Sequence, residues 1–179
     1  MNVLLLLAHS IAEYDDVRML HDLGYNVFSI GAYTDPSHPG DDARPALPDV
    51  PYLSDLAALV PDQMAAKASL PDGLVDWADV VIVHHYLDDW LLPQVERLTQ
   101  AGKRIIWRTC GQSDHRLEDV MTMVRARFPV EIVRYSTREE AYFRPAGHWA
   151  GQDILIPFGK YLDDYGPWMG AAAWGTNVT

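Results

Sequence analysis

Apolar residues in this chain come in two kinds of run, and their alternation sets the first expectations. Val3 to Ala8 is unbroken apolar sequence, as in a central parallel strand buried on both faces. Tyr14, Val17, Leu20 and Leu23 then recur at near-helical spacing. That spacing predicts a helix over Ser10–Leu23, with Ser10 as its cap and Gly24 as its stop. Tyr25–Ile30 follows as a second strand, and together these segments predict a βαβ unit.

The pattern breaks at Gly31–Pro51, where Pro36, Pro39, Pro45, Pro48 and Pro51 leave no room for a regular element. A loop of that length inside a domain is usually functional or disordered, and here it is expected to tune ligand choice. Val50–Leu53 reads as a short strand, and Leu53–Leu70 as a helix broken near Pro61. Val80, Val81, Ile82 and Val83 stand in a row, so Asp79–His85 is predicted to be a strand. Leu91, Val95 and Leu98 share one face of a helix over Trp90–Ala101, with Pro93 in its first turn and Gly102 as its stop. Lys103–Arg108 is the next strand, and Leu117, Val120, Met121, Val124 and Phe128 mark another amphipathic helix. Glu131–Tyr135 is read as a strand, Thr137–Tyr142 as a short helix and Asp153–Pro157 as a last strand. This β-α alternation predicts an α/β fold, a doubly wound, mostly parallel sheet with helices on both faces, Rossmann-like in class. Residues 1–165 form that domain, and 166–179, with Trp168 and Trp174, read as a linker or tail made to pack on something.

Composition narrows the function classes. The formal net charge of -11 disfavours binding to a nucleic-acid backbone. A single cysteine, Cys110, allows no internal disulfide and suits a reducing, cytoplasmic compartment. The opening apolar run has no basic leader and is too short to span a bilayer, so no transmembrane segment is expected. There is no GxGxxG after the first strand, no GxxxxGK[ST] and no GxSxG. A metal site is not expected either, because neither HxxxH nor HExxH spacing occurs.

Ligands of open parallel sheets bind at the carboxyl ends of the strands, so the residues after each strand are the candidates. They are His9 and Ser10, then His84 and His85, then Gln112, Asp114 and His115, then Ser136 and Glu139. Each has a plainer reading. His9 and Ser10 suit a helix cap, and one of the two adjacent histidines suits a hydrogen-bonded structural role. Asp88 and Asp89 suit the start of a helix, and Cys110 a packed thiol. Asp114 suits a cap, which leaves His115 as a general base. Ser136 suits the cap of the helix that follows it, whose free N–H groups can still hold a phosphate or sugar oxygen.

Several of these stretches carry a family resemblance. Val133-Arg134-Tyr135-Ser136-Thr137-Arg138-Glu139-Glu140 is similar to the late strand and helix of the N-terminal domain of GT-B-type glycosyltransferases. Asp153-Ile154-Leu155-Ile156-Pro157-Phe158-Gly159-Lys160 resembles the strand and turn that close that domain, and Tyr165 to Gly170 resembles the linker beyond it. Ala78 to His85 resembles the family's strand ending in histidine, and Lys103 to Thr109 its next strand. The resemblance implies an acceptor-binding half of a sugar transferase, with no tightly bound cofactor and a nucleotide sugar as co-substrate. It implies catalytic roles for His85, Asp114 and His115. His85, or less readily His84, would meet the transferred sugar, and Gln112 and Asp114 would line the acceptor side. Ser136 and Glu139 would flank the donor, and His9 and Ser10 its phosphates. Two departures stand out: Ala8-His9-Ser10 occupies the place of a glycine pair, and the acidic donor motif of the second domain is missing. The expectation is therefore a half that needs a second Rossmann-like domain, in cis or in trans, before it transfers sugar. The alternative is a stand-alone, flavodoxin-like ligand- or nucleotide-binding module.

Overall fold

The computed structural model describes residues 1–6, 10–30, 69–84, 91–109, 115–134 and 153–156, with the backbone alone for 10–14, 115–118, 120 and 121. Six strands form one all-parallel sheet: β1 (Asn2–Leu6), β2 (Asn26–Ile30), β3 (Val80–His84), β4 (Arg104–Arg108), β5 (Val130–Arg134) and β6 (Ile154–Leu155). Four helices accompany them among the described residues: α1 (Ser10–Asp22), α2 (Asp72–Trp77), α3 (Leu91–Gln100) and α4 (His115–Arg127). The strand order is β2-β1-β3-β4-β5-β6. The chain steps one way from β1 to β2 and the other way from β3 onward. The direction of winding therefore reverses between β1 and β3, the place where such sheets open a crevice for ligands.

The continuous apolar runs became the inner strands because both of their faces are covered. Leu4 and Leu6 of β1 join Val81, Val83, Ile105, Trp107 and Ile132 in the larger core, together with Leu74 of α2, Leu91, Val95 and Leu98 of α3 and Val124 of α4. Val3 and Leu5, the alternate residues of the same strand, turn to a smaller core with Val27 of β2 and Val17 and Leu20 of α1. Helices thus lie on both faces of a doubly wound, Rossmann-like α/β sheet.

Both glycines read as helix stops act through backbone chemistry. Gly24 has φ +78° and Gly102 φ +71°. Gly24 donates its N–H to the His21 carbonyl at 2.8 Å while Tyr25 donates to Leu20 at 3.0 Å. Gly102 and Lys103 repeat the arrangement on Thr99 and Leu98, at 2.9 and 3.0 Å. These are Schellman ends, which satisfy the last carbonyls of a helix with a left-handed residue.

Some boundaries moved. The first helix ends at Asp22, and Leu23, expected on its apolar face, is 64% exposed at the turn. Leu70 lies outside any helix, while 53–68 fall outside the described residues. The helix α2 had no counterpart in the sequence reading. It is six residues long with Gly73 inside it, too short to build a periodic stripe. Tertiary contacts hold it instead. Leu70 donates its N–H to the buried side chain of Gln94 at 3.0 Å, and Arg97 donates both to the Leu70 carbonyl and to the Asp72 carboxylate. The expected loop Gly31–Pro51, the strand Val50–Leu53, the helix Thr137–Tyr142 and the tail from 166 all lie outside the described residues.

Candidate functional site: an ionic cluster at the strand ends

His84 and Arg108 are the last residues of β3 and β4, and the parallel register makes them direct cross-strand partners. Val80, Ile82 and His84 alternate with Val81 and Val83, which belong to the larger core. The His84 ring therefore stands on the face that α1 covers. The same alternation puts Arg108 there, because Ile105 and Trp107 turn to the other face. Asp16 comes down from α1 to meet them. It shares that helix's inner side with Val17 and Leu20, and only 4% of its surface is exposed.

One carboxylate oxygen holds the cluster. Asp16 Oδ2 accepts from Arg108 Nη1 at 2.5 Å and lies 3.0 Å from His84 Nε2. Nε2 makes no hydrogen bond of good geometry, so the histidine contact is electrostatic in the main. His84 is 3% exposed and Arg108 8%. Burial pushes the Asp16 carboxyl up, but His84 and the Arg108 guanidinium beside it outweigh burial and hold it below the usual carboxylate range. Asp16 is therefore ionised at neutral pH.

A second buried group lies farther along the edge. Arg134, which ends β5, donates from Nε to Asp153 Oδ2 at 3.0 Å. Arg125 of α4 donates to both oxygens of Asp153, at 2.7 and 2.9 Å. The Arg134 and Asp153 side chains are fully buried. This group ties the edge strand β6 to β5 and α4, and its position on the far side of β5 sets it away from the β1–β3 reversal.

Of the residues nominated from sequence, His84 alone has a described side chain, 3% exposed with Nε2 3.0 Å from Asp16 Oδ2. Ser10 and His115 are the first residues of α1 and α4, with only their backbones described. His9, His85, Gln112, Asp114, Ser136 and Glu139 lie outside the described residues, as do Asp88, Asp89, Cys110, Trp168 and Trp174.

Asp16, Arg108, Arg125, Arg134 and Asp153 were not among the residues nominated from sequence. For Asp16 a signal existed: an acid on the same helical stripe as Val17 and Leu20 sits where a core residue belongs. Arg108 and Arg134 carried a weaker one, a charge closing a strand whose other residues are largely apolar. No pattern in the chain pairs either arginine with its carboxylate.

Among the described residues no group of three or more His, Cys, Asp or Glu is placed to hold a metal ion. Within the same residues no helix is long and apolar enough to cross a membrane. No protein family, no curated protein and no solved structure matches this chain.

Proposed function

We propose that this chain is the acceptor-binding half of a GT-B-type sugar transferase, which binds its ligand at the carboxyl edge of the sheet beside the β1–β3 reversal. The observation that carries the reading is the buried Asp16–His84–Arg108 cluster at that edge. Taking charges out of water costs several kcal/mol per ion, and apolar residues of similar size would fill the space as well or better. A cluster of this kind at a strand-end crevice points to a ligand rather than to stability. The runs from Val133 to Glu140 and from Asp153 to Lys160 add the family resemblance. In this reading a nucleotide sugar is the co-substrate, no cofactor is held tightly, and a second Rossmann-like domain supplies the donor site. An inverting transfer needs a base for the acceptor hydroxyl, for which His85, Asp114 and His115 are the candidates. The single cysteine supports a reducing, cytoplasmic compartment in this reading.

The strand order favours a second reading. Among the described strands, β2-β1-β3-β4-β5 is the order of flavodoxin-like folds, which bind a nucleotide or other ligand without a second domain. Saturation-transfer NMR of the chain with mono- and disaccharides, and separately with UDP-glucose and UDP, discriminates the two. The acceptor-half reading expects an unphosphorylated sugar to bind weakly and the binding to fall in Arg108→Met. Tight binding of UDP with no response from any sugar moves the flavodoxin-like module to first place. Silence from every probe removes both.

A further inference from the structure

We infer that Asp16 is the positioning residue of the strand-end site: from the inner side of α1 it fixes the tautomer and the ring orientation of His84, and Arg108 fixes Asp16. The inference rests on the proposal that this edge is the ligand-binding face.

A neutral imidazole can offer two things to its surroundings. It carries one N–H and one lone pair, and the environment chooses which nitrogen has which. His84 Nε2 lies 3.0 Å from Asp16 Oδ2, and an ionised carboxylate only accepts. A lone pair on Nε2 would face a full negative charge at that distance in a dry site, so the hydrogen belongs on Nε2. Nδ1 is then the nitrogen left with the lone pair. This holds although the Nε2–H is not well aligned, because the electrostatic preference falls off more slowly with angle than a hydrogen bond does.

Arg108 makes the arrangement stable. Burial alone would raise the pKa of this carboxyl, and a protonated Asp16 would present an O–H to Nε2 and reverse the tautomer; His84 first and Arg108 after it oppose that rise. With the guanidinium on the same oxygen, Asp16 stays ionised. The charged groups shown facing His84 are thus Asp16 from α1 and Arg108 from β4; Asp15, the other buried acid of α1, lies one residue away from Asp16. The three residues come from separate elements, and Arg108 follows Asp16 by 92 positions. Their contact therefore ties α1 to the carboxyl ends of β3 and β4 at the crevice. No part of this follows from the motifs noted in the sequence.

The test is NMR of the imidazole nitrogens in the chain, with His84 identified by the signals lost in His84→Gln. Wild type is expected to show the Nε2–H tautomer. In Asp16→Asn the amide can turn its NH2 toward the ring, and the expected result is a switch to Nδ1–H. Asp16→Glu restores a carboxylate and is expected to recover at least part of the Nε2–H signal. Methyl α-glucoside and UDP-glucose serve as binding probes. Whichever binds wild type is expected to bind Asp16→Asn about tenfold more weakly, on the scale of residues that orient a ligand's partner. A wild-type ring in the Nδ1–H form overturns the inference without any variant. So does a folded Asp16→Asn protein that keeps Nε2–H. If the tautomer follows Asp16 while neither probe binds wild type, the functional reading fails and the positioning of His84 by Asp16 stands.

Discussion

The strand β4 carries an arginine at each end, both on the face that α1 covers, and the two live in different solvents. Arg104, at the amino end, forms a two-pronged pair with Glu131 of the next strand, at 2.6 and 2.9 Å, and both side chains are roughly half exposed. Arg108, at the carboxyl end, pairs with Asp16 in near-complete burial. The geometry at Arg104 is the better of the two, yet water screens it and discounts its worth to about 0.2–1 kcal/mol. The pair at Arg108 has lost its hydration, so each partner depends on the other. The Arg104 pair decorates the amino end of β4, while the Arg108 pair constrains its carboxyl end, where ligands of such folds bind.

The comparison breaks most sharply if the buried pair is cut. Asp16→Ala leaves the buried Arg108 guanidinium without its carboxylate and His84 without its neighbour, and a loss of about 3–5 kcal/mol is expected in urea unfolding. The triple variant Asp16→Leu, His84→Leu, Arg108→Met removes charge and partner together. Its stability is expected to equal or exceed that of wild type, while ligand binding disappears. A triple variant as unstable as Asp16→Ala would mean that the cluster is a stability element after all.

Acid sharpens the same contrast. The Asp16 carboxyl has a lower pKa folded than unfolded, so its stabilising contribution is complete above the unfolded value of about 3.9 and is lost as pH falls through the folded value. Wild type should therefore lose stability steeply as pH drops below about 4. Asp16→Asn should show a shallower loss over the same range. Glu131 is also held low, by Arg104 first and against a small opposing effect of burial, and its contribution is lost in the same direction. Salt separates the two, because about 1 M NaCl shortens the screening length to about 3 Å and weakens exposed pairs far more than buried ones.

Gly24→Ala places a side chain at φ +78° and is expected to cost about 1–2 kcal/mol with no change in ligand binding. The smallest effect belongs to Arg104→Ala, expected below about 1 kcal/mol and vanishing in high salt. A larger, salt-resistant loss there would erase the distinction between the ends of β4.

Local pattern determined much of this protein. The run at Val3–Leu6 announced a strand buried on both faces, because only a parallel inner strand uses apolar residues on both sides, and the run at Val80–Val83 announced another strand. Leu91, Val95 and Leu98 announced the buried stripe of α3, and Gly24 and Gly102 the ends of two helices, because these signals act over a single turn. The α/β class followed from the alternation of such runs. What the tertiary structure alone decided is which distant residues meet. The helix α2 exists because Gln94 and Arg97 hold the backbone that enters it, 24 and 27 residues away from Leu70. Asp16, His84 and Arg108 converge because strand order and register set His84 beside Arg108, while the rotation of α1 turns Asp16 inward. A hydrophobic period is written in neighbouring residues, whereas the partner of a buried charge is chosen by the fold, and one sequence does not record that choice.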